Sequence, residues 1–189
     1  VVFTGGEPLL RRDLERLIGD ARRAFPGMFM GMVTHAGLLT VERLGDHLSL
    51  AADLVLAVTI EVCWRLVRAR HTEIPRFAVI GYGKLGGKEL GFASDLDIVF
   101  VYDDPHEAAA ENYARLAQRM NSWLSSRTPA GTLFETDLAL RPSGGAGLLV
   151  SSMSAFKRYQ LESAWLWEHQ ALTRARFCAG DAAIGAVFD

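Results

Sequence analysis

The sequence predicts an α+β fold, in which a small mixed sheet carries carboxylates on one face and helices on the other. Within residues 76–104, a strand, a glycine-rich turn and a second strand follow one another. Before them, apolar residues recur every three or four positions and predict a long helix over residues 41–72. Helical patterns return over residues 154–180, so the core of the sheet is placed at residues 76–150.

The composition is ordinary, with 189 residues, half of them hydrophobic, and a formal net charge of −2. These values fit one soluble domain, or one domain with an appendage. The near-neutral charge gives no indication of nucleic-acid binding, and the lack of a long apolar run gives none of a membrane span. Cys63 and Cys178 are predicted to be small buried residues without a disulfide, as in the reducing cytoplasm. The chain does not begin with Met and is expected to be a fragment.

Residues 1–40 are predicted to form a small β–α–β-like segment that is foreign to the rest of the chain. Leu14, Leu17 and Ile18 make one face of a helix between two short strand patterns. The motif GGEPLLR at residues 5–11 resembles the segment of radical S-adenosylmethionine enzymes that contacts the methionine part of the cofactor. That family's three-cysteine motif is missing, so this segment cannot hold an iron–sulfur cluster, and a generic β–α–β piece stays an alternative.

The long helix is predicted from a single apolar stripe whose function is to pack against the sheet. Thr40 is placed to cap its N-terminus, Glu42 suits the same end of the helix dipole, and arginines gather at the other end. The stripe comprises Leu44, Leu48, Ala51, Val55, Val58, Val62 and Leu66.

The strand at residues 77–80 leads into a turn with four glycines and one lysine. Successive backbone N–H groups in such a turn form an anion-binding nest, and the lysine adds a mobile positive charge. A branched side chain would intrude where the backbone meets phosphate, so Gly86→Val is expected to weaken nucleotide binding more than folding. The predicted phosphate-binding residues of the turn are Gly83, Lys84, Gly86 and Gly87.

A pair of carboxylates opens the second strand. Since residues two apart in a strand share a face, Asp95 and Asp97 point the same way. Adjacent carboxylates repel each other unless a cation lies between them, and Mg²⁺ prefers hard oxygen ligands that it shares with phosphates. A phosphate nest followed by paired carboxylates therefore predicts metal-dependent phosphoryl or nucleotidyl transfer. Ser94 is predicted to fix the turn or to contact a phosphate.

Two other nucleotide-binding motifs compete with this interpretation. Gly81, Gly83 and Gly86 match the dinucleotide-binding fingerprint, and Asp103 lies at about the distance expected of a ribose contact. That fold needs a full helix between the strands, where this chain has helix-breaking glycines, and it leaves the paired carboxylates unexplained. A P-loop is excluded because Lys84 is not followed by Ser or Thr.

Further candidates follow later in the chain. Alternation over residues 133–140 places Asp137 on the polar face of a third strand, where it would join the other two carboxylates if the strands pair side by side. Arg141 opens a second glycine-rich loop and is a candidate anion contact. A helix is predicted from Ala164 to Cys178, on which Arg174 and Arg176 are either triphosphate contacts or solvated surface residues.

Two long stretches together resemble one family. GYGKLGGKELGFASDLDIVFVYDD (residues 81–104) and LFETDLALRPSGGAGLLVSSMSAFKRYQLESAWLWEHQALTRARFCAGD (residues 133–181) resemble, in the same order, the glutamine synthetase adenylyltransferase (glutamate–ammonia-ligase adenylyltransferase) family. That family belongs to the DNA polymerase β-like nucleotidyltransferases. The resemblance extends from about Leu44 to the C-terminus, and WEHQALTRAR resembles the adenylylating C-terminal half of the two-headed enzyme more than the deadenylylating half.

The resemblance implies transfer of AMP from ATP, with Mg²⁺, to a tyrosine of glutamine synthetase in the cytoplasm, and a PII-type regulatory protein as a further partner. It implies that Asp95, Asp97 and Asp137 form the metal site and that Asp137 can also serve as the base for the attacking hydroxyl. Arg141 would be a retained phosphate contact, whereas Ala139 stands where the family often has arginine.

The alternative hypothesis is that the chain is an inactive fragment, acting only as a nucleotide-binding or structural module. The predicted organisation is the same in both cases: residues 1–40 are an appended segment and residues 41–189 a truncated nucleotidyltransferase domain.

Overall fold

The computed structural model divides the chain into two compact units, Val1–Arg43 and Leu44–Asp189. The residues that it describes are 2–3, 16, 20, 23, 31–32, 41–129 and 131–188.

In the first unit, strands β1 (Val2–Phe3) and β2 (Gly31–Met32) pair in parallel, and Arg16, Asp20 and Arg23 are helical. Parallel strands with helical residues between them are the β–α–β-like arrangement that the sequence predicts. The motif at residues 5–11 and the apolar helix face lie outside the described residues.

Helices and strands alternate irregularly along the rest of the described chain. In order they are α1 (Val41–Arg65), β3 (Phe77–Gly81), α2 (Gly83–Gly86), β4 (Leu96–Tyr102), α3 (Ala109–Ser125), β5 (Arg127–Thr128), β6 (Gly131–Thr132), β7 (Thr136–Asp137), β8 (Val150–Ser152), α4 (Met153–Glu162), α5 (Leu166–Leu172), β9 (Arg176–Gly180) and α6 (Ala182–Gly185).

Helix α1 packs in the protein core, but the face predicted to be buried is wrong by one position. Of the predicted apolar stripe, Leu44, Leu48, Val55 and Val62 are half-buried, and Ala51, Val58 and Leu66 are exposed. The helix is apolar on several sides, so periodicity alone does not fix which side is buried.

By length and composition alone, Glu42–Arg65 is also long and apolar enough to cross a membrane, a property that the core helices of globular proteins share. In this structure, the buried residues along α1 are part of the protein core. They are Gly45, Ser49, Ala52, Leu56, Thr59, Ile60, Cys63 and Trp64.

The end of α1 comes earlier than predicted, at Arg65 and not at residue 72. Ala69 adopts a left-handed backbone conformation, with φ of 55°, which helices do not continue through. The indole N–H of Trp64 donates to the carbonyl of Thr72 at 3.2 Å and so holds the chain folded back on the helix. The segment between α1 and β3 is therefore a fixed connection.

The sheet of the second unit is mixed, with strand order β9–β3–β4 and with β7 and β8 both beside β4. β3 runs antiparallel to β4 and β9, whereas β7 and β8 run parallel to β4. β7 pairs with the start of β4, where Asp97 faces Asp137, and is shorter than the strand predicted over residues 133–140. The predicted α+β fold with a mixed sheet is confirmed.

Helices cover both faces of the sheet, which is more than the sequence predicted. One face, with Phe77, Val79, Leu96, Ile98 and Phe100, packs against α1 and α3. The other face also carries Asp97, but most of its residues are apolar and need cover from water. These residues are Ala78, Ile80, Val99 and Val101, and they pack against α4, α5 and α6.

The helix predicted from Ala164 to Cys178 is wrong in its second half. α5 ends at Leu172, and Arg176–Gly180 forms β9, which pairs with β3. Without β9, the backbone N–H and C=O groups on that side of the buried strand β3 would have no partners. A requirement of the tertiary structure thus overrides the helical periodicity of this stretch.

Candidate active site

Three aspartates meet where β4 begins. Asp95 precedes β4, Asp97 is its second residue, and Asp137 lies opposite Asp97 in the neighbouring strand β7. The strands therefore pair as the sequence prediction requires. One carboxylate oxygen from each of the three side chains lies within 4.8 Å of the others, and the described part of the chain contains no second cluster of this kind.

The electrostatics of this cluster suit a divalent cation. Burial raises the pKa of Asp97, the carboxylates of Asp95 and Asp137 raise it further, and Lys84 partly opposes them. A hard cation relieves such repulsion, and carboxylate oxygens are its preferred ligands. Asp137 accepts a hydrogen bond from the backbone N–H of Ala139 at 2.7 Å, which fixes the orientation of its carboxylate.

The glycine turn lies directly against this cluster. The backbone N–H of Tyr82 donates to the carbonyl of Asp97 at 2.8 Å and joins the turn to β4. Gly83 follows with a positive φ of 52°, and a Cβ at this position would overlap a carboxylate oxygen of Asp97. Glycine at residue 83 is thus needed for both reasons. Lys84 is exposed beside it and supplies positive charge to the same place.

Gly86 and Gly87 lie at the other end of the turn, under the residues that precede β9. A Cβ on Gly86 would overlap the carbonyl oxygen of Arg174 and lie 2.8 Å from that of Gly81. A Cβ on Gly87 would overlap the guanidinium of Arg174. Backbone packing is therefore sufficient to explain glycine at residue 86, whereas Gly87 meets only the exposed end of the Arg174 side chain. The phosphate contacts of both glycines stay predictions.

Ser94 and Arg141 both hold their own loops in the structure. The Ser94 hydroxyl accepts a hydrogen bond from the backbone N–H of Gly91 at 3.0 Å, which agrees with a role in fixing the turn. Arg141 donates to the carbonyls of Leu138 at 2.6 Å and Gly145 at 3.1 Å. Its phosphate contact stays a prediction, and it would require Arg141 to exchange some of these bonds.

The chain matches a sequence model of a known protein family. The model described as glutamate-ammonia ligase adenylyltransferase matches residues 13–189. The chain belongs to this family. The resemblance of the glycine turn and of the stretch around Asp137 is thereby confirmed, and the match reaches further toward the N-terminus than that resemblance did.

Curated relatives agree with this adenylyltransferase family. The chain is 60% identical over 182 residues to the bifunctional glutamine synthetase adenylyltransferase/adenylyl-removing enzyme of Aromatoleum aromaticum, which covers 95% of this chain and 19% of that protein. Enzymes of the same name from Chromobacterium violaceum and Neisseria meningitidis serogroup B are 62% and 57% identical, each over 82% of this chain and 17% of theirs. The chain thus spans about a fifth of the length of these relatives.

The family match also bears on the first segment. It begins at residue 13, and the Aromatoleum relative aligns with 95% of the chain, so neither comparison stops near Thr40. This counts against a foreign origin for residues 13–40, which stays a prediction.

The structure separates the two arginines that sequence reasoning treated alike. Arg176 donates to both carboxylate oxygens of Asp53 on α1, at 2.8 and 2.9 Å, and to the carbonyl of Leu85 at 3.1 Å. The side chains of this pair are 16% and 19% exposed, so the guanidinium is committed to holding α1 against the glycine turn. Arg174 instead pairs with Glu89 at the surface. Asp53 and Glu89 were not predicted, because a single acidic residue on a helix or after a turn carries no local signal.

Gly86→Ala is expected to lower the free energy of unfolding of this chain by about 1–3 kcal/mol, the usual effect of overpacking. The new Cβ meets two backbone carbonyls, which yield less easily than a side chain. Gly145→Ala is the matched control, since nothing lies within 4 Å of its Cβ position, and a change below ~1 kcal/mol is expected there. Urea unfolding of both variants measures this. A stable Gly86→Ala variant with weakened ATP binding would instead support the prediction that phosphate approaches Gly86.

Proposed function

We propose that this chain transfers AMP from ATP to a tyrosine hydroxyl of glutamine synthetase in an Mg²⁺-dependent reaction. The observation that carries the proposal is the cluster of Asp95, Asp97 and Asp137 directly against a glycine turn with an exposed lysine. Within a family of adenylyltransferases, such a cluster is suited to hold the metal that phosphoryl and nucleotidyl transfer require. Bound there, Mg²⁺ would offset charge on the triphosphate and acidify the attacking hydroxyl.

The residues of the chain have separate tasks in this reaction. The turn at Gly83 and the ammonium of Lys84 bind phosphate oxygens. Asp137 accepts the proton of the tyrosine hydroxyl, for which its orientation is already fixed by the N–H of Ala139. The phenolic oxygen forms a bond to the α-phosphorus, the bond from that phosphorus to the β-bridging oxygen breaks, and its electron pair leaves with pyrophosphate.

The partner in this proposal is glutamine synthetase, and the reaction takes place in the cytoplasm. Neither nucleic acid nor a membrane is a proposed partner. A PII-type regulator is proposed from the family resemblance alone. We assign the chain to the adenylylating half of the enzyme, on the order of residues around Trp167 and Arg174. The alternative is an inactive nucleotide-binding or structural module. It is kept because the chain spans about a fifth of its relatives' length.

The test is incubation of the purified chain with glutamine synthetase, Mg²⁺ and ATP labelled at the α-phosphate. Label on a glutamine synthetase tyrosine, with equimolar pyrophosphate, is expected. Binding of ATP without transfer of AMP would favour the nucleotide-binding module. If the chain does not bind ATP at all, the structural module is favoured. Loss of AMP from pre-labelled glutamine synthetase, without addition to the unlabelled protein, would assign the chain to the adenylyl-removing activity that the relatives' name includes.

A further inference from the structure

Arg174 lies on the backbone of the glycine turn. Its guanidinium occupies the place where a Gly87 side chain would begin, and its carbonyl oxygen packs on Gly86. The turn between α5 and β9 sets this position, through the hydrogen bond from the N–H of Arg174 to the carbonyl of Ala171 at 3.1 Å. The position of the Arg174 guanidinium is therefore set by the turn between α5 and β9, and not by a contact with α1.

The partner of Arg174 is Glu89, and the ion pair between them is exposed to solvent. Arg174 and Glu89 form an ion pair at 2.6 Å, with side chains that are 46% and 64% exposed. Surface pairs of this kind add little stability, because water screens them and ordering the side chains opposes them. Arg176, two residues later, is buried against Asp53 and is not free to exchange. Of these two arginines, Arg174 is the one that can change partners without loss of core structure.

We propose that Arg174 exchanges Glu89 for the leaving pyrophosphate of ATP, and that Glu89 acts as a competing anion which tunes nucleotide affinity. The inference rests on the proposed function and deepens it. Gly83 at one end of α2 lies against Asp97, so the α-phosphate has to react at that end. Gly87 and Arg174 lie at the opposite end of this single helical turn, beyond the reacting phosphorus. A guanidinium there meets the two terminal phosphates, whose oxygens it binds in a bidentate manner.

The chain offers a matched control for this pair. Arg115 and Glu111 on α3 form an ion pair of the same type, with side chains that are 50% and 69% exposed. They lie on a helix that packs against the other face of the sheet, away from the carboxylates. Variants of both pairs lose the same charge from a similarly exposed ion pair. Only Arg174 also contacts Gly87, so a difference in ligand binding between the two pairs reports on the turn.

The experiment measures binding of Mg²⁺–ATP and of Mg²⁺–pyrophosphate to the whole 189-residue chain by calorimetry. Arg174→Ala is expected to weaken both ligands at least ~10-fold, the effect of losing a charge-assisted hydrogen bond. Glu89→Gln is expected to tighten both by about 2–5-fold, and to change nothing in the Arg174→Ala background. Arg115→Ala and Glu111→Gln are expected to change binding less than 2-fold.

The outcomes separate this inference from the proposed function. If the unaltered chain binds neither ligand, the proposed function fails and the inference fails with it. If the unaltered chain binds ATP but Arg174→Ala matches Arg115→Ala, the inference alone is overturned. Weaker ATP binding with normal pyrophosphate binding also overturns it. If Arg174→Ala does not fold, Glu89→Gln still decides: tighter binding supports the exchange, and unchanged or weaker binding excludes it.

Discussion

Asp97→Asn is expected to abolish AMP transfer while stabilising the metal-free protein. The substitution keeps the shape of the side chain but removes a ligand charge from the centre of the carboxylate cluster. Replacing even an outer partner of a metal ligand lowers activity or metal affinity ~10–100-fold, so a loss of at least ~100-fold is expected for a ligand itself. The measurement is the initial rate of labelled AMP transfer at saturating Mg²⁺.

The stability effect has the opposite sign because the pKa of Asp97 is raised in the folded protein. Burial and the two neighbouring carboxylates disfavour its charged form. Above this raised pKa the charge opposes folding, and acidification through the pKa relieves the opposition. Without metal, Asp97→Asn should therefore be more stable than the unaltered chain at pH 7, with the difference shrinking toward acidic pH. Mg²⁺ should raise the melting temperature of the unaltered chain but not that of the variant.

Asp103→Asn controls for the loss of one acidic charge near the same strand. Asp103 lies just after β4, its side chain is 65% exposed, and its ion pair with Arg76 spans 4.0 Å. Transfer activity and the Mg²⁺-dependent rise in melting temperature should both survive in this variant. Normal activity in Asp97→Asn, or an equal loss in Asp103→Asn, would exclude the carboxylate cluster as the metal site.

The features that could be predicted from the sequence are those set by interactions between residues close together in the chain. Asp95 and Asp97 followed from the alternation of a single strand, and Asp137 from one further assumption about which strand is its neighbour. These are rules with a period of two residues, and the structure brings the three carboxylates together. The glycine turn was found for the same reason, because glycines and a lysine next to a strand are a local signal.

The features that the sequence did not predict depend on contacts between residues far apart in the chain. The stretch around Arg176 has helical periodicity, but it completes the sheet beside β3, almost a hundred residues earlier. The contact of Gly86 with the carbonyl of Arg174 was not predicted, because it joins residues 88 positions apart, and the phosphate contact of Gly86 stays a prediction. Neither partner is visible in a window of ten or fifteen residues. Both contacts lie in one region, where β9 and the residues that precede it pack on β3 and on the glycine turn.

A buried polar cluster was missed for a similar reason. Asp104 accepts hydrogen bonds from His71 at 2.9 Å, from the Tyr113 hydroxyl at 2.7 Å and from the backbone N–H of His106 at 3.0 Å. Asn112 contacts the other nitrogen of His71 at 2.9 Å. The cluster joins the segment after α1, the end of β4 and the start of α3. It lies beyond the opposite end of β4 from the candidate active site, so its effect should be on folding and not on catalysis.

Asp104→Asn is expected to lower the free energy of unfolding by about 2–4 kcal/mol at pH 7, with ATP binding unchanged. Burial alone would raise the pKa of Asp104, but hydrogen bonds from His71, His106 and Tyr113 outweigh burial and lower it to about 2. The carboxylate and His71 side chains are only 8% and 6% exposed, so water screens their interaction little. An Asn at this position loses the charge and turns an N–H₂ group toward a donor, which leaves buried polar groups unsatisfied.

The pH dependence gives this prediction its sharpest test. A carboxyl group with a lowered pKa stabilises the fold above its unfolded pKa of about 4, and that contribution is lost as the pH falls through about 2. The stability difference between the unaltered chain and Asp104→Asn should therefore be present at pH 7 and shrink as the pH falls below about 4. Denaturant unfolding at pH 7, 5, 4 and 3 measures this. Asp103→Asn, one residue away and exposed, should change stability by less than ~0.5 kcal/mol at each pH. Equal effects of the two substitutions, or a difference that does not shrink in acid, would show that Asp104 is not the charged centre of this cluster.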